Sequence, residues 1–464
     1  MFLDIDKKER HSIAVVCENG KQVTYGQLCE FVKGFAKRCP QRTLVFILAE
    51  NSLGSLLSYI VSLSNRLVPL LLSANMDRAL LNDLITNYHP EYLWLPERLL
   101  ADFSYPVEYE LPDYCLVKTN LQSYPLCEEL SMLLPTSGST GSSKLVRHSY
   151  RNLEANARNV AELFEILPQD RAITSLPMQY TMGLSVINSH LYAGATVLLT
   201  NRGLLEPEFW TFLKDGKTTT FTGVPYSYEL LSKLRFFRMN LPDLKIITQG
   251  GGRMSDELFR QCAEYAEKNN KKFIATYGQT EGAARMAYLP AGLAMQKTGS
   301  IGIAIPNGEL YLIDEQGNKI EETEATGQMV FKGENVTLGY ARSAEDLQKG
   351  NENNDVLFTG DLANRDADGC YYIVGRMGRF LKLFGLRVNL DECERIIKSA
   401  LSIDCACAGN DSCMYVYITD IQYAESVKTL LEEKTKIIGS AFKVEVIKEI
   451  PKNDSGKILY SQLQ

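Results

Sequence analysis

The apolar positions in the first 300 residues change repeatedly between a strand-like and a helix-like spacing. Leu44–Leu48 and Leu67–Leu72 are short continuous apolar runs, whereas Gly54–Ser64 and Asp77–Asn87 place apolar residues three and four positions apart. Short apolar runs are typical of buried strands, and the longer period is typical of amphipathic helices. Strands that alternate with helices predict an α/β domain whose parallel sheet is covered on both faces.

The pattern changes after Ser300. Short β-type runs follow at Glu309–Ile313, Gly327–Lys332 and Tyr371–Val374, and turn signals such as Asp368-Gly369 separate them. Short strands joined by turns are typical of antiparallel sheets. We therefore predict a small antiparallel β subdomain over about residues 300–377.

Beyond Arg379 the pattern becomes α+β. Helices are predicted at Leu390–Leu401 and Tyr423–Thr435, and strands at Met414–Thr419 and Lys443–Ile447. About 85 residues are enough for a small independent domain. We predict an N-terminal domain over residues 1–377, which includes the β subdomain, and a small C-terminal domain over residues 378–464.

Length, charge and cysteine content limit the classes of function. The 464 residues are too many for one hydrophobic core, and 49 Lys and Arg against 56 Asp and Glu give a net charge of −7. A general affinity for nucleic acid needs positive charge, so we expect no nucleic-acid partner. The most apolar stretch, Leu53–Leu72, is interrupted by polar residues, so we expect no membrane span. The charged start and the odd number of cysteines, 11, indicate a cytoplasmic protein with reduced thiols.

The segment Pro135–Lys144 is rich in glycine and hydroxyl side chains. It follows the apolar run Leu130–Leu134 and precedes a helix predicted near Arg151. Its glycines let consecutive N–H groups point into one concavity, and its hydroxyls and lysine add donors and charge, so it could hold a polyphosphate. A flexible turn is the alternative, and the segment does not have the spacing of a Walker A loop.

Four further segments occur in a defined order along the chain. They are Tyr-Gly-Gln-Thr-Glu (Tyr277–Glu281), Thr-Gly-Asp-Leu (Thr359–Leu362), the run from Val374 to Arg387, and Pro-Lys-Asn-Asp-Ser-Gly-Lys (Pro451–Lys457). Together with the Pro135–Lys144 loop they resemble the motifs of the adenylate-forming, AMP-binding superfamily, which includes acyl-CoA synthetases, peptide-synthetase adenylation domains and luciferase. Weaker matches lie at Val23–Tyr25, His148-Ser149, Gly250–Gly252, Gly299–Pro306 and Gly339-Tyr340.

The resemblance implies a fold and a reaction. The fold is α/β, with a large N-terminal domain of stacked doubly wound sheets and a small antiparallel β subdomain, followed by a small mobile α+β domain. The reaction is attack of a carboxylate on the α-phosphorus of ATP with Mg²⁺ present, which gives an acyl adenylate and pyrophosphate. A thiol of CoA, or of the phosphopantetheine on an acyl or peptidyl carrier protein, then takes the acyl group.

The resemblance also implies the residues that carry these roles. Lys457 bridges the carboxylate and the α-phosphate, Thr280 contacts the α-phosphate, and Glu281 binds Mg²⁺ as a hard oxygen ligand. Tyr277 stacks on adenine. Asp361, which we predict to lie in a turn at Thr359–Asp361, contacts the ribose together with Arg376, and Tyr372 packs nearby. The other ATP-binding residues are Thr136, Ser137, Gly138, Ser139, Thr140, Gly141, Lys144, Gly250, Gly251, Gly252, Gly278 and Gln279.

Two departures from the family pattern concern the second step. Gly378 occupies the hinge position, where the family usually has Asp or Lys, and glycine can absorb large φ/ψ changes there. Phe384 replaces a residue that is often basic in the family. Both changes bear on transfer to the thiol more than on adenylation.

The acid substrate is the part that the sequence defines least. Leu176–Gly183 corresponds to the segment that lines the acid site, and we expect His148, Tyr180 and Gly183 to contact the acid. The aspartate that usually pairs with an α-ammonium group is missing, so an acyl, hydroxyacyl or aryl acid is favoured over an amino acid. The alternatives are an amino-acid-activating adenylation enzyme, a luciferase-like oxygenase and a nucleotide-binding regulator without turnover.

Overall fold

The computed structural model describes residues 1–122, 124–135, 144–383, 386–410, 412–435, 437–453 and 456–463. The helices are α1 (Tyr25–Phe35), α2 (Leu53–Ser64), α3 (Arg78–Tyr88), α4 (Tyr150–Leu163), α5 (Thr181–Ala193), α6 (Pro207–Asp215), α7 (Pro225–Lys233), α8 (Asp256–Lys268), α9 (Leu390–Leu401) and α10 (Ala424–Thr435).

The first sixteen strands are β1 (Ile13–Cys17), β2 (Gln22–Thr24), β3 (Leu44–Ala49), β4 (Val68–Ser73), β5 (Tyr92–Pro96), β6 (Val107–Leu111), β7 (Tyr114–Lys118), β8 (Leu130–Pro135), β9 (Leu145–Ser149), β10 (Arg171–Ile173), β11 (Thr196–Leu199), β12 (Thr220–Gly223), β13 (Ile246–Gln249), β14 (Lys272–Tyr277), β15 (Ala287–Tyr288) and β16 (Ile303–Ala304). The remaining strands are β17 (Gly308–Ile313), β18 (Ala325–Gly333), β19 (Gly339–Ala341), β20 (Val356–Arg365), β21 (Tyr371–Arg376), β22 (Phe380–Leu383), β23 (Leu386–Asn389), β24 (Cys405–Asn410), β25 (Cys413–Ile418) and β26 (Phe442–Val446).

Two large sheets with parallel centres organise the N-terminal part. One has nine strands in the order β16-β15-β14-β13-β12-β10-β11-β1-β2, and the other has eight in the order β19-β9-β8-β4-β3-β5-β7-β6. One hydrophobic core takes buried side chains from both sheets and from α1, α2, α4 and α5. These helices therefore pack between the sheets, while α3 covers the other face of the eight-stranded sheet. The predicted class of stacked α/β sheets is confirmed.

The apolar stretch Leu53–Leu72 forms a buried helix and a buried strand. All the residues of α2 from Leu53 to Leu63 are buried, and β4 pairs in parallel with β3. A mostly apolar helix that is buried on all sides belongs to the interior of a large domain. None of the helices in the described ranges is long and apolar enough to cross a membrane.

Residue contacts divide the chain into two compact units. The first contains Met1–Gly299, Ile303–Glu309 and Phe331–Leu357, and the second contains Ser300–Gly302, Leu310–Val330 and Phe358–Gln464. Strands β17, β18, β20 and β21 form one sheet. Most residues of this sheet belong to the second unit, together with the C-terminal residues. The domain boundary at residues 377 and 378 remains a prediction.

The C-terminal residues form the expected α+β structure. Helices α9 and α10 and strands β22 to β26 share one hydrophobic core. The Thr359–Asp361 segment differs from expectation, because it lies inside β20 and not in a turn. Gly360 has φ of 71°, so the turn-like sequence produces a local irregularity within a strand.

Candidate active site

Two of the sequence-predicted segments meet at one edge of the nine-stranded sheet. Gly250–Gly252 follow β13, and Gly278–Glu281 follow β14, which ends at Tyr277. The two strands are parallel neighbours, so their carboxyl ends lie side by side. The carboxyl edge of an open α/β sheet is where such folds bind ligands.

Glycine is required where these two loops pack together. An added Cβ on Gly278 would lie 1.5 Å from the carbonyl oxygen of Ala284, and one on Gly250 would lie 2.5 Å from Thr276 Oγ1. Gly251 has φ of 79°, which L side chains rarely adopt. These close backbone approaches fix the position of the residues that follow Gly278.

Thr280 contacts the start of helix α5. The hydroxyl of Thr181, the first residue of α5, donates a hydrogen bond of 3.0 Å to Thr280 Oγ1. The N-cap residue, Tyr180, makes no side-chain capping bond within the described part of the chain. A helix N-terminus with N–H groups that no side chain caps is a site that favours anions.

Glu281, Tyr340 and Lys144 form a contact series in the first unit. The Tyr340 hydroxyl donates a 2.6 Å hydrogen bond to Glu281 Oε1, and Lys144 Nζ lies 3.5 Å from the centre of the Tyr340 ring. Burial, and then the neighbouring Glu281 carboxylate, raises the pKa of Tyr340, so this hydroxyl stays protonated and donates. β19 carries Tyr340 and pairs with β9, which begins directly after Lys144.

The Glu281 carboxylate fits a Mg²⁺ ligand. Tyr340 occupies Oε1, and no described residue donates a hydrogen bond to Oε2. The described residues contain no cluster of three or more His, Cys, Asp or Glu that could bind a metal. Mg²⁺ commonly binds through one or two carboxylates together with substrate phosphates, so a single carboxylate next to a phosphate site suits it.

The three residues expected to contact the acid have different environments. His148 is fully buried in β9, and neither ring nitrogen has a hydrogen-bond partner among the described residues. Burial lowers the pKa of His148 to about 3. Gly183 packs against the preceding segment, because an added Cβ would lie 2.3 Å from the Pro177 carbonyl oxygen. Tyr180 is half-buried at the start of α5.

Asp361 and Arg376 form an ion pair in the second unit. They are directly opposite each other in the antiparallel pair of β20 and β21, and Arg376 Nε lies 3.3 Å from Asp361 Oδ1. The Asp361 side chain is 4% exposed and that of Arg376 is 64% exposed. Because β20 and β21 form a hairpin, Asp361 and Arg376 face each other although they are separated in the sequence. Tyr372 lies on the same strand as Arg376, and its hydroxyl donates to Asp366 at 3.3 Å.

Contacts within the second unit hold the described residues around Lys457 in place. The Lys457 backbone N–H donates to Asn453 Oδ1 at 2.9 Å, and Gly456 has φ of 77°. Three residues later, the Tyr460 hydroxyl donates a 2.9 Å bond to Glu394 Oε2. Glu394 also accepts from Arg379 Nη2 at 2.6 Å. Through Glu394, the C-terminal segment that contains Lys457 and Tyr460 is therefore linked to Arg379, the residue that follows Gly378.

Gly378 lies between two residues that contact the same carboxylate. Asp391 accepts from the Arg376 backbone N–H at 3.2 Å and also from the Arg379 side chain. An added Cβ on Gly378 would meet nothing within 4 Å. Thr136, Ser137, Gly138, Ser139, Thr140, Gly141 and Phe384 lie outside the described residues.

Two side chains of this site were not predicted from the sequence. Tyr340 belongs to a weak motif match, Gly339-Tyr340, and Thr181 lies within the segment predicted to line the acid site, but neither received a role. Their contacts join residues far apart in sequence, Tyr340 to Glu281 and Thr181 to Thr280, which a local pattern cannot indicate.

Comparison with known proteins gives both relatives and structural neighbours. The chain is 26% identical over 280 residues to the 2-succinylbenzoate–CoA ligase of Enterococcus faecalis, which covers 60% of this chain and 56% of that protein. It is 28% identical over 284 residues to a linear gramicidin synthase protein of Brevibacillus parabrevis, which covers 59% of this chain and 4% of that protein. The chain thus spans about half the length of the ligase that it matches.

The fold has a counterpart among solved structures. The o-succinylbenzoate CoA synthetase of Bacillus subtilis, in complex with an acyl-adenylate intermediate, superposes with a TM-score of 0.82 and 21% identity, covering 100% of this chain and 97% of that one. The same enzyme is also known in complex with ATP and a magnesium ion. The profile of the AMP-binding enzyme family matches residues 4–341, and the chain therefore belongs to the AMP-binding enzyme family.

Proposed function

We propose that the chain is an ATP-dependent carboxylate ligase that forms an acyl adenylate and then passes the acyl group to a thiol. In the first step a carboxylate oxygen attacks the α-phosphorus of ATP, the bond from that phosphorus to the β-phosphate oxygen breaks, and pyrophosphate leaves. In the second step a thiol sulfur attacks the acyl carbonyl carbon, loses its proton, and AMP leaves. The observation that carries the proposal is the cluster of Thr181, Thr280, Glu281, Tyr340 and Lys144 at the carboxyl edge of the sheet.

The first step brings negatively charged groups together, so its catalysts are cations and hydrogen-bond donors. We assign the α-phosphate to Thr280 and the N-terminus of α5, which the 3.0 Å contact brings together. Mg²⁺, when bound, supplies positive charge to the phosphate oxygens, and Glu281 would be its carboxylate ligand. Lys144 would contact the outer phosphates, together with Thr136–Gly141, which are assigned on family resemblance alone.

Further residues would contact the adenine, the ribose and the acid. Tyr277, with Gly278 and Gln279, and Gly250–Gly252 would contact adenine, because their backbones lie at the same strand edge. Asp361, Tyr372 and Arg376 would bind the ribose. Lys457 would bridge the acid and the α-phosphate in the adenylation step. A preorganised cation at developing charge contributes several kcal/mol in such a site.

The thiol acceptor is the least determined part of the proposal. CoA is the first choice, because the related E. faecalis protein is a CoA ligase. A carrier-protein phosphopantetheine is the second choice, supported by the similarity to the gramicidin synthase protein. No disulfide joins any two of the eleven cysteines, which all lie within the described ranges, and we propose a reducing compartment such as the cytoplasm.

ATP–pyrophosphate exchange that depends on a carboxylic acid tests the proposal. A panel of fatty, hydroxy, dicarboxylic, aryl and amino acids would be measured with wild type, Lys457→Ala and the exposed-lysine control Lys448→Ala. We expect exchange with one class of acid, a loss of about 100-fold or more in Lys457→Ala, and no loss in the control. ATP binding without exchange for any acid would contradict the proposed ligase activity and favour a nucleotide-binding regulator without turnover. Product analysis with CoA and with a carrier protein then identifies the acceptor.

A further inference from the structure

Arg285 is a buried cation without a counter-charge among the described residues. Its side chain is 1% exposed, and within the described part of the chain its only hydrogen bond runs from Nη1 to Ser185 Oγ at 2.6 Å. Nε and Nη2 have no partner there, and none of the described carboxylates pairs with the guanidinium. Burial lowers its pKa to about 10, so it remains charged at neutral pH. A buried charge without a partner is costly, so an anion that pairs with it would relieve that cost.

The position of Arg285 relates it to the proposed adenylation site. Its hydrogen-bond partner, Ser185, is four residues after Thr181 on α5, and Thr181 contacts Thr280. Residues four apart on a helix share a face and are separated by about 6 Å along the axis. The guanidinium therefore lies about one helical turn further along α5 than Thr280.

The backbone around Arg285 is fixed, whereas its side chain is held weakly. The carbonyl of Arg285 accepts from Asn156 and Asn335, and Asn335 also donates to the carbonyl of Gly282. The guanidinium has one described hydrogen bond, to the neutral Ser185, and lies 5.1 Å from the centre of the Phe164 ring. A carboxylate would add a bidentate, charge-assisted pair on Nε and Nη2, with hydrogen bonds that are each about twice as strong as a neutral one.

We propose that Arg285 is a specificity-determining residue that selects an acid with a second carboxylate at the end remote from the reacting one. This inference rests on the proposed function, because it places the reacting carboxylate at Thr280. The acid then extends along α5 from Thr181 towards Ser185, and its second carboxylate pairs with Nε and Nη2 of Arg285.

Pairs of acids that differ only at the remote end provide the test. Butanoate is compared with butanedioate, and hexanoate with hexanedioate, by ATP–pyrophosphate exchange. We expect kcat/KM for one diacid to exceed that for its matched monoacid by about 100-fold or more, since a site built for a polar group rejects its apolar analogue strongly. In Arg285→Met the ratio should fall to about one, whereas the exposed-arginine control Arg260→Met should retain the wild-type ratio.

A binding measurement separates this inference from the proposed function. Arg285→Met removes an unpaired buried charge, so it should fold and melt at or above the wild-type temperature. The preferred diacid, with ATP present, should raise the melting temperature of wild type and leave that of Arg285→Met unchanged. If the diacid raises the melting temperature of wild type alone and no acid supports exchange, the inference would be supported and the proposed ligase activity contradicted.

Three outcomes would overturn the inference. One is wild-type exchange that is equally fast with monoacids and diacids, which would leave the ligase intact. Another is an unchanged diacid preference in Arg285→Met. The third is stabilisation of wild type by chloride or acetate that equals stabilisation by the diacid, because it would identify a general anion site.

Discussion

The hydrogen bond between Tyr340 and Glu281 is the shortest side-chain contact described among the residues proposed to bind ATP and Mg²⁺. It restricts the orientation of the carboxylate before a metal arrives. Hydrogen bonds to charged groups contribute about 1.5–3 kcal/mol, and residues that orient metal ligands change affinity by about 10- to 100-fold. Tyr340 is therefore a positioning residue in the proposed mechanism.

Tyr340→Phe should raise the Mg²⁺ concentration that gives half-maximal exchange by about tenfold, since the ring remains and only the hydroxyl is lost. The KM for the acid should change little. The measurement is a Mg²⁺ titration of ATP–pyrophosphate exchange in wild type and the variant. Tyr311→Phe, on β17 in the second unit, serves as the control for loss of a tyrosine hydroxyl. An unchanged Mg²⁺ requirement in Tyr340→Phe would remove Tyr340 from the metal site.

Two buried histidines make the stability of the first unit depend on pH. Burial lowers the pKa of His148 to about 3 and that of His190 to about 4, from an ordinary value of 6.5. At about pH 5 the two histidines together therefore bind almost two protons in the unfolded chain and almost none in the folded chain. The free energy of unfolding should fall as pH falls, by about 1.4 kcal/mol per pH unit for each histidine.

Urea unfolding at pH 7, 6 and 5 measures this slope. His148→Asn should reduce the slope by about half between pH 6 and 5, whatever its effect on absolute stability. His11→Asn, at an exposed position, is the surface control. Equal slopes in wild type and His148→Asn would contradict a neutral His148 in the folded chain.

At the scale of elements, the site depends on how closely the loops after β13 and β14 pack. Gly278→Ala places a methyl group where the Ala284 carbonyl oxygen lies, so the loop that carries Thr280 and Glu281 has to move. We expect a loss of exchange of at least about 100-fold, because small displacements of positioning residues have effects of this size.

Gly292→Ala is the matched control, since nothing lies within 4 Å of an added Cβ there. Both proteins should be compared by circular dichroism, melting temperature and exchange. Full activity in Gly278→Ala would show that this loop does not position the reacting groups.

At the scale of the whole molecule, the proposed reaction requires two steps, and the family resemblance assigns a movement between them to Gly378. Gly378→Ala should be tolerated because the space around it is open. Gly378→Pro fixes φ near −65°, so it should slow the thiol step by at least about tenfold while adenylation continues. Single-turnover measurement of adenylate formation and of its transfer to CoA separates the two rates. Equal loss of both steps would contradict a hinge at this residue.

The sequence determined much of the fold because buried strands and amphipathic helices leave local periodic patterns. The predicted strand Leu44–Leu48 and helix Gly54–Ser64 correspond to β3 and α2, and the predicted helix Leu390–Leu401 is α9. The family, too, could be identified from five short segments, since tight turns and phosphate contacts restrict residue types locally. The turn predicted at Thr359–Asp361 was wrong, because these residues lie within β20, which pairs with β21 from Asp361 onward.

Only the tertiary structure decided which distant side chains meet. It joined Tyr340 to Glu281 and Thr181 to Thr280, and it left Arg285 buried without a counter-charge among the described residues. It also placed His148, which the sequence assigned to the acid site, in a fully buried position. A sequence pattern reports neighbours along the chain, whereas burial and pairing are set by segments that are distant in the sequence. The proposed chemistry could therefore be inferred from the motifs, but the basis that we propose for the choice of acid could not.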